Sequence, residues 1–471
     1  MLIQFTIQNF LSFRDEVTFS MVAVNSDSQH IDHLAQNEAG EGRSVLPVAA
    51  IYGANAAGKS NLIKAISFVK NLVVKGTRSG QIIPVSTFKL GNYSSQPSKF
   101  ELIFTYEGNQ YSYGFKLDRE QILEEWLYGI PKNKKKEVMY FERITSTKKE
   151  TTIEYGAILK GRSEKHQLRL AFIAEGTRHN QLFLTEAVER NIQVLVPIAT
   201  WFRNVLTIIS AEANYIGLET RLHSDEAFTD FLSKFLQFAG TGIDSIATEK
   251  VELNFDRHFP SMPKSMKEEI FQKFEELDKN SSGIIETNQG GRLIVSKTPE
   301  NLVSVTELRT RHLDENGDLV DFSLEEESEG TQRLINLLPS LFLLKQDLEK
   351  VVFLDELDRR LHPQLSRRFV EAEIGCRNKS NQLIFTTHDT NLLDLDLLRR
   401  DEIWFIEKNQ QGSSSCYSLA EFKIRPDLKI EKGYLNGRFG ALPFFGDIQN
   451  LGWLGCASNL SSKISGKPSD E

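Results

Sequence analysis

An eight-residue loop constrains the fold of this chain more than any other sequence feature. It matches the P-loop pattern at every fixed position, with the residues Gly53, Ala54, Asn55, Ala56, Ala57, Gly58, Lys59 and Ser60. In such a loop backbone N–H groups surround phosphates, the lysine reaches the β- and γ-phosphates, and the serine hydroxyl ligates Mg²⁺. The sequence therefore predicts a binding site for a nucleoside triphosphate and Mg²⁺.

The flanking residues have the pattern that this loop requires. Residues 47–52 form a short apolar run that predicts a buried strand, and residues 61–69 have helical periodicity. A strand, a loop and a helix in this order place the phosphates at a helix N-terminus. The motif thus predicts an α/β fold around the nucleotide.

Composition limits the class of protein. The chain has 471 residues, of which 40% are hydrophobic and 25% charged, enough for two or three globular domains. A net charge of −8 argues against a protein that coats nucleic acid, although a local basic groove stays possible. The three scattered cysteines indicate reduced thiols. Since no apolar run is long enough for a membrane span and the N-terminus does not read as a signal peptide, we expect a cytoplasmic protein without membrane contact.

Alternating residues predict an antiparallel sheet beside the nucleotide domain. Residues 3–7 and 17–21 read as neighbouring strands, and residues 100–106 and 111–117 read as a hairpin. The antiparallel sheet should extend over about residues 95–160. Residues 165–280 have mainly helical periodicity, and strand patterns return at 283–322.

A second phosphate-site motif follows far along the chain. The apolar run 351–354 ends at Asp355 and Glu356, the Walker B form. Asp355 would hold Mg²⁺, and Glu356 would polarise the attacking water. An ordinary acidic strand end is the alternative interpretation.

Two further features support the Walker B interpretation. A buried strand at residues 382–387 ends in His388, which could contact the γ-phosphate and sense hydrolysis. Ser328 and Gly330 open a helical pattern, so they could present a hydroxyl and N–H groups to an anion. A structural histidine and an ordinary capped helix are the alternatives.

The order of these motifs resembles ABC-type ATPases of the SMC/RecF-like branch, over roughly residues 1–95 and 320–410. The resemblance rests on the opening run 8–14, the P-loop with Asn55, the signature 328–332, the run 354–358, residues 361–363 and residues 387–389. It implies ATP and Mg²⁺ as cofactors and head-to-tail dimers in which Ser328 and Gly330 complete the partner's site in trans. It further implies that Asp358 lies at the dimer seam and that Arg14 approaches the phosphates.

This resemblance divides the chain into four parts. Residues 1–165 would form the N-terminal half of an ABC-type head with its antiparallel subdomain, and residues 166–282 a helical insertion. Residues 283–456 would form the C-terminal half of the head, followed by a disordered tail at 457–471. The insertion is a candidate surface for partners or oligomerisation, or a subdomain that packs on its own head.

Within the branch, the chain is similar to the stand-alone ATPases of bacterial anti-phage and abortive-infection systems, of the RloA, AbiL and PARIS types and distantly related to OLD nucleases. The resemblance rests on the run 326–334 together with residues 361–363. It implies a separate effector, often with a TOPRIM-like nuclease domain, and a phage-derived trigger. About 80 residues follow His388, and no nuclease metal cluster can be identified among them, so an effector of the chain's own is not expected.

Four functions remain open from the sequence. The first is a slow, regulatory ATPase that gates an effector. The second is a RecF-like clamp of DNA repair, in which Lys132, Lys134, Lys135 and Lys136 contact phosphates, although such a lysine run is commonly a solvated loop. The third is a transporter ATPase subunit, which the signature disfavours, and the fourth is a nucleotide-dependent scaffold with negligible turnover.

Overall fold

The structure is a computed structural model that describes most of the chain. The described residues are 1–25, 27, 29–35, 43–132, 134–146, 148–212, 218–254, 263–268, 282–286, 292–297, 303–345, 349–376, 380–424 and 429–442. The predicted disordered tail at 457–471 lies outside these residues, as do residues 269–281 of the segment with predicted helical periodicity.

Three β-sheets, ten labelled α-helices, a short helical segment at residues 264–268 and several 3-10 helices make up the described fold. The strands are β1 (Leu2–Gln8), β2 (Val17–Ser20), β3 (Val48–Tyr52), β4 (Ser98–Tyr106), β5 (Asn109–Leu117), β6 (Ile122–Ile130), β7 (Val138–Thr145), β8 (Thr151–Tyr155), β9 (Leu206–Ile209), β10 (Ile243–Glu252), β11 (Ser282–Glu286), β12 (Arg292–Lys297), β13 (Val303–Leu313), β14 (Leu319–Ser323), β15 (Val351–Leu354), β16 (Gln382–Thr386), β17 (Ile403–Lys408) and β18 (Ser414–Ser418). The helices of the described residues are α1 (Lys59–Lys75), α2 (Ala157–Lys160), α3 (Glu164–Gly176), α4 (Phe183–Glu189), α5 (Val196–Thr200), α6 (Leu218–Ser224), α7 (Glu226–Phe238), α8 (Glu329–Lys345), α9 (Pro363–Cys376) and α10 (Ile430–Leu435).

The first sheet is the core of the nucleotide domain, with the strand order β18-β17-β3-β16-β15-β9. In this order, the five strands from β17 to β9 pair in parallel. Strand β18 pairs antiparallel with β17 at one edge of the sheet. Every residue of β3, β15 and β16 is buried, as expected for apolar runs covered on both faces. Because parallel strands end at the same edge, the residues that follow β3, β15, β16 and β17 lie together.

The second sheet is antiparallel and has the order β2-β1-β4-β5-β6-β7-β8. The predicted hairpin is confirmed, since β4 and β5 pair with Phe104 opposite Tyr111. Helix α1 packs against this sheet through Phe68, whose ring centroid lies 5.2 Å from that of Phe100. The P-loop helix therefore shares one hydrophobic core with residues of both sheets.

Among its described residues, the segment 166–282, predicted to be a helical insertion, contains strands β9 and β10 besides its helices. Strand β9 joins the core sheet in parallel with β15, with Leu206 opposite Val351. Strand β10 pairs with β13 in the third, antiparallel sheet, where the strand patterns at 283–322 form β11 to β14. The predicted helical periodicity of residues 165–280 covers β9 because the mainly apolar residues 206–209 fit a buried strand as well as a helix. Among the described helices, none combines the length and the apolar character needed to cross a bilayer.

Candidate nucleotide-binding site

The P-loop connects β3 to α1, and its two glycines lie against other backbone and side-chain atoms. Gly58 has a φ of 123°, and a Cβ atom there would lie 2.6 Å from Ser414 Oγ and 2.8 Å from Ser12 Oγ. A Cβ atom on Gly53 would lie 2.3 Å from the carbonyl oxygen of Ile406. Glycine is therefore required at both positions by close approach, and at Gly58 also by its backbone conformation.

Lys59 reaches back over the loop from the first turn of α1. Its Nζ donates hydrogen bonds to the carbonyl oxygens of Gly53 at 2.7 Å and Ala54 at 3.2 Å. Burial lowers the pKa of Lys59 to about 8, against the opposing effect of the nearby carboxylates of Asp358, Asp355 and Glu356. The ammonium group thus lies inside the loop, where a bound phosphate would compete with these carbonyls for its protons.

Ser60 and Asp355 together offer oxygen ligands for Mg²⁺. Ser60 Oγ donates to Asp355 Oδ1 at 3.3 Å, and the same carboxylate oxygen accepts a hydrogen bond from Thr386 Oγ1 at 2.6 Å. Mg²⁺ takes oxygen ligands at about 2.1 Å in an octahedron, which places neighbouring ligands about 3 Å apart. The hydroxyl–carboxylate pair therefore fits the metal that the P-loop implies.

Glu356 follows Asp355 in a left-handed backbone conformation, with a φ of 52°. This conformation is uncommon for a residue with a Cβ and is found disproportionately at functional sites. The backbone N–H of Glu356 donates to Thr386 Oγ1 at 2.8 Å. Its carboxylate forms an ion pair with Arg359 at 3.6 Å. Thr386 thus positions both acidic residues of the motif, a role that the sequence pattern did not indicate.

His388 lies at the same edge of the sheet, after β16. Its backbone N–H donates to both carboxylate oxygens of Asp358, at 3.2 and 3.1 Å. Burial and the charge of Lys59 lower the pKa of the His388 imidazole. This shift favours the neutral ring, one of whose nitrogens can donate a hydrogen bond to a phosphate oxygen. Asp358 has an intrachain role here, because it holds the backbone of His388.

A cavity of about 540 Å³ brings these groups together. It is lined by Ala54, Asn55, Ala56, Ala57, Gly58, Lys59, Ser60, Asn61, Glu356, His388 and Lys408. Lys408, which sequence reasoning missed, is the last residue of β17, the parallel neighbour of β3. Its only sequence signal is its place at the end of a buried strand, so the topology was needed to find it.

Arg14 is not among the residues that line this cavity. Its guanidinium forms an ion pair with Asp15 at 2.8 Å and lies 5.6 Å from the ring centroid of Tyr93. The neighbouring Ser12 contacts the P-loop region instead, since its Oγ accepts from Asn61 Nδ2 at 2.8 Å and from Ser414 Oγ at 2.8 Å. The opening motif therefore supports the loop through its serine within this chain.

The signature residues also lie outside the lining of this cavity. Ser328 is exposed and caps helix α8, since its Oγ accepts a hydrogen bond from the backbone N–H of Thr331 at 3.1 Å. A Cβ atom on Gly330 would lie 2.8 Å from the carbonyl oxygen of Arg360. Among the described residues, the P-loop cavity is thus built without the signature of the same chain.

A P-loop, a hydroxyl–carboxylate pair for Mg²⁺ and a second carboxylate beside one cavity define the class of P-loop nucleoside triphosphatases. Residues 48–394 match the protein family described as "AAA domain, putative AbiEii toxin, Type IV TA system". The match spans more than half of the chain, which therefore belongs to this family of ATPase domains. The prediction of an ATPase is confirmed at this level.

Solved structures of SMC heads are similar to this chain at low identity. One, a crystal structure of the SMC head bound to the C-terminal winged-helix domain of ScpA, is 15% identical with a TM-score of 0.38, covering 92% of this chain and 99% of that one. The SMC head domain from Thermotoga maritima is 13% identical with a TM-score of 0.35, covering 90% and 99%. These scores are too low to support an argument about function. No curated protein sequence matches the chain.

Proposed function

We propose that this chain is an ATP-binding and ATP-hydrolysing switch of the ABC type, which closes as a head-to-tail dimer around ATP and gates a separate effector. One observation carries the proposal. The cavity gathers the P-loop, Glu356 and His388 from one chain, while Ser328 and Gly330 stand outside its lining. The nucleotide site of one chain would therefore be completed by the signature residues of a second chain.

The chemistry follows from the residues at the cavity. Lys59 would donate to the β- and γ-phosphates once their oxygens replace the carbonyls of the loop. Asp355 and Ser60 would hold Mg²⁺, which supplies charge stabilisation for the transferred phosphoryl group when bound. Glu356 would polarise the attacking water as general base, with its backbone fixed by Thr386. His388, in its neutral form, would donate to the γ-phosphate and report its loss.

The exposed start of α8 suits a phosphate of a second chain. Helix α8 spans Glu329–Lys345, long enough for a helix dipole with its positive end at the signature. Ser328 is exposed there, and unsatisfied backbone N–H groups of a first helical turn can face an anion. We therefore place Ser328 and Gly330 over the γ-phosphate bound by the partner, with Asp358 near the seam.

Anti-phage defence is the setting that we propose for this switch. The matching family is described as a putative AbiEii toxin of a type IV toxin–antitoxin system, which supports a role in defence. We propose that a separate effector, for example a TOPRIM-type nuclease, is released or activated when a phage-derived trigger changes whether this chain holds ATP or has hydrolysed it. Slow hydrolysis would serve such a switch, because the output is conformational state.

The decisive experiment mixes two inactive variants. Lys59→Ala removes the P-loop lysine but keeps the signature, and Ser328→Arg blocks the signature but keeps the P-loop. We expect neither variant to hydrolyse ATP alone, and their equimolar mixture to recover up to about a quarter of the wild-type rate, from one intact composite site in each mixed dimer. Phosphate release measures the rate, and Ser95→Arg, on an exposed loop, is the matched control.

Three results would contradict the proposal. Full activity of Ser328→Arg alone would place the signature outside the reaction. Loss of ATP binding to the same chain in Ser328→Arg would show that the signature acts in cis. Dimerisation is tested separately with Glu356→Gln, which should form a stable dimer in the presence of ATP and Mg²⁺, as measured by light scattering. A monomer under those conditions would exclude ATP-driven dimerisation.

A RecF-like DNA-binding ATPase is the second candidate function. The observation that favours it is the exposure of Lys132, Lys134, Lys135 and Lys136 in the connection between β6 and β7. If this loop contacts DNA phosphates, binding to duplex DNA should weaken steeply with salt, and charge reversal of the four lysines should lower the salt dependence. DNA binding that is unaffected by the reversal, or absent, would remove this candidate.

A further inference from the structure

Arg360 lies beside the signature, in the tight turn that follows the Walker B strand. Its Nε is 3.2 Å from a carboxylate oxygen of Glu329, the first residue of α8, and its side chain is 51% exposed. A Cβ atom on Gly330 would lie 2.8 Å from the carbonyl oxygen of Arg360. We propose that Arg360 is a catalytic residue in trans, whose guanidinium contacts the γ-phosphate bound by the P-loop of a second chain. This inference rests on the proposed function, because it adds a group to the composite site.

The backbone of this turn holds Arg360 in an uncommon conformation. Its φ is 63°, in the left-handed region that residues with a Cβ atom rarely adopt. Leu357 and Leu361 are buried on either side, and the backbone N–H of Leu361 donates to the carbonyl oxygen of Asp358 at 3.1 Å. The turn is therefore anchored at both ends, while Arg360 itself is exposed. Such conformations occur disproportionately at functional sites.

Glu329 is the anion that Arg360 contacts within the single chain. Its carboxylate lies in the first turn of α8, where the helix dipole favours negative charge. Exposed ion pairs contribute little to stability, and the Glu329 side chain is 71% exposed, so Arg360 can leave it at small cost. A γ-phosphate placed over Ser328 and Gly330 would replace this carboxylate, because it carries more charge and guanidinium binds its oxygens in a bidentate manner.

Two further arginines lie near Arg360 and favour an anion at this position. Arg333, in the same helix as the signature, is buried, and its Nε has no hydrogen-bond partner among the described residues. Burial lowers the pKa of Arg333, and the charges of Arg359 and Arg360 lower it further, although nearby carboxylates oppose this shift. The three guanidinium groups are therefore close enough to repel one another, and an additional anion would reduce that repulsion.

Arg360 would assist the transfer of the γ-phosphoryl group to water. In this step the water oxygen bonds to the γ-phosphorus, the bond to the bridging oxygen breaks, ADP leaves, and Glu356 accepts a proton from the water. Negative charge is spread over the oxygens of the transferred group, where a guanidinium stabilises it. An arginine supplied in trans raises kcat by roughly 10³- to 10⁵-fold in GTPases.

The first test measures ATP hydrolysis by Arg360→Ala, which keeps a Cβ atom and so the same backbone preference. We expect kcat to fall at least about 100-fold, with ATP binding to the same chain changed less than about twofold, because the arginine serves the partner's site. Arg368→Ala, at a 63% exposed arginine of α9 paired with Glu371, is the matched control and should keep the wild-type rate. Equal melting temperatures check the fold. A wild-type rate in Arg360→Ala would overturn the inference.

A double variant tests whether Arg360 only neutralises Glu329. In that case adding Glu329→Gln to Arg360→Ala would restore the rate, since no carboxylate would then repel the phosphate. We expect the double variant to stay as slow as Arg360→Ala alone, because the missing group is the guanidinium itself. Restoration of the rate would exclude a contact with the phosphate.

A mixture of two variants determines which chain Arg360 serves. Equimolar Arg360→Ala and Lys59→Ala should recover up to about a quarter of the wild-type rate, because the Lys59→Ala chain supplies Arg360 to the intact P-loop of the other chain. If this mixture stays inactive while Lys59→Ala with Ser328→Arg recovers, Arg360 acts in its own chain and the inference alone fails. If neither mixture recovers, the proposed dimer fails and the inference fails with it.

Discussion

The ammonium group of Lys59 donates a hydrogen bond to the carbonyl oxygen of Gly53, with 2.7 Å between the two atoms. This contact joins the two ends of the P-loop through a buried lysine. The same ammonium group is the one proposed to bind the γ-phosphate, so a bound nucleotide would replace the carbonyl acceptors of the loop with phosphate oxygens. The loop is therefore stabilised by the residue that is expected to bind its ligand.

Replacement of this lysine should abolish tight nucleotide binding. A charge-assisted hydrogen bond contributes about 1.5–3 kcal/mol, so Lys59→Ala should weaken ATP binding about 10- to 100-fold and remove turnover. Titration calorimetry and phosphate release measure the two effects. Lys64→Ala, on the exposed side of α1, should leave both unchanged. Wild-type binding by Lys59→Ala would remove the P-loop assignment.

The lowered pKa of Lys59 predicts a pH dependence of ATP binding. Below pH 8 the lysine is protonated in the free protein, and affinity should not depend on it. Above about 8 the free protein loses this proton, which a bound phosphate requires, so affinity should fall by up to about tenfold per pH unit. Dissociation constants measured between pH 7 and 9.5 show the inflection. A fall of the same size in Lys59→Ala would assign the effect to another group.

Thr386 should control catalysis through the two carboxylates that it positions. Thr386→Val removes the hydrogen bond to Asp355 Oδ1 and the acceptor for the N–H of Glu356. Two lost buried hydrogen bonds at about 1 kcal/mol or more each predict a 10- to 100-fold lower kcat. Thr386→Ser keeps the hydroxyl and should retain most of the rate. Equal rates for the valine and serine variants would exclude this positioning role.

Lys408 should contribute to nucleotide affinity as a charged residue in the lining of the cavity. Lys408→Ala removes a positive charge from its lining, and we expect about 3- to 10-fold weaker ATP binding with an increased KM and a nearly unchanged kcat. The effect should shrink at high salt, because the group is partly solvated. Lys423→Ala, an exposed lysine outside the lining, is the control. A loss confined to kcat would instead place Lys408 at the reacting phosphate.

The local parts of the site were accessible from the sequence. Residues 53–60 predict their own conformation, because glycine at two positions and a following helical pattern are properties of a short segment. The strands before Asp355 and before His388 were predicted correctly, since three or four consecutive apolar residues bounded by polar ones indicate a buried strand. The α/β class and the antiparallel hairpin at Phe104 and Tyr111 followed in the same way.

Contacts between distant segments were beyond such patterns. The hydroxyl of Thr386 joins Asp355 to the backbone of Glu356, and Ser12 meets Ser414, only because the strands pair in a particular order. Strand β9 was taken for the end of a helix, since its partner β15 lies far along the chain. The contact between His33 and the carboxylate of Glu402 also joins segments that lie far apart in the sequence, so no local pattern predicts it.

The sequence by itself determined the P-loop at Gly53–Ser60 and the buried strand that ends before Asp355, because spacing and periodicity act within a few turns or strands. Only the tertiary structure decided that Lys408 lines the cavity, that Thr386 contacts the Asp355 carboxylate and the Glu356 backbone, and that the signature residues are absent from the lining of the cavity in their own chain. These contacts depend on the order of the parallel strands and on packing between distant segments. Burial of the whole core selects that order and packing, and no local sequence pattern encodes them.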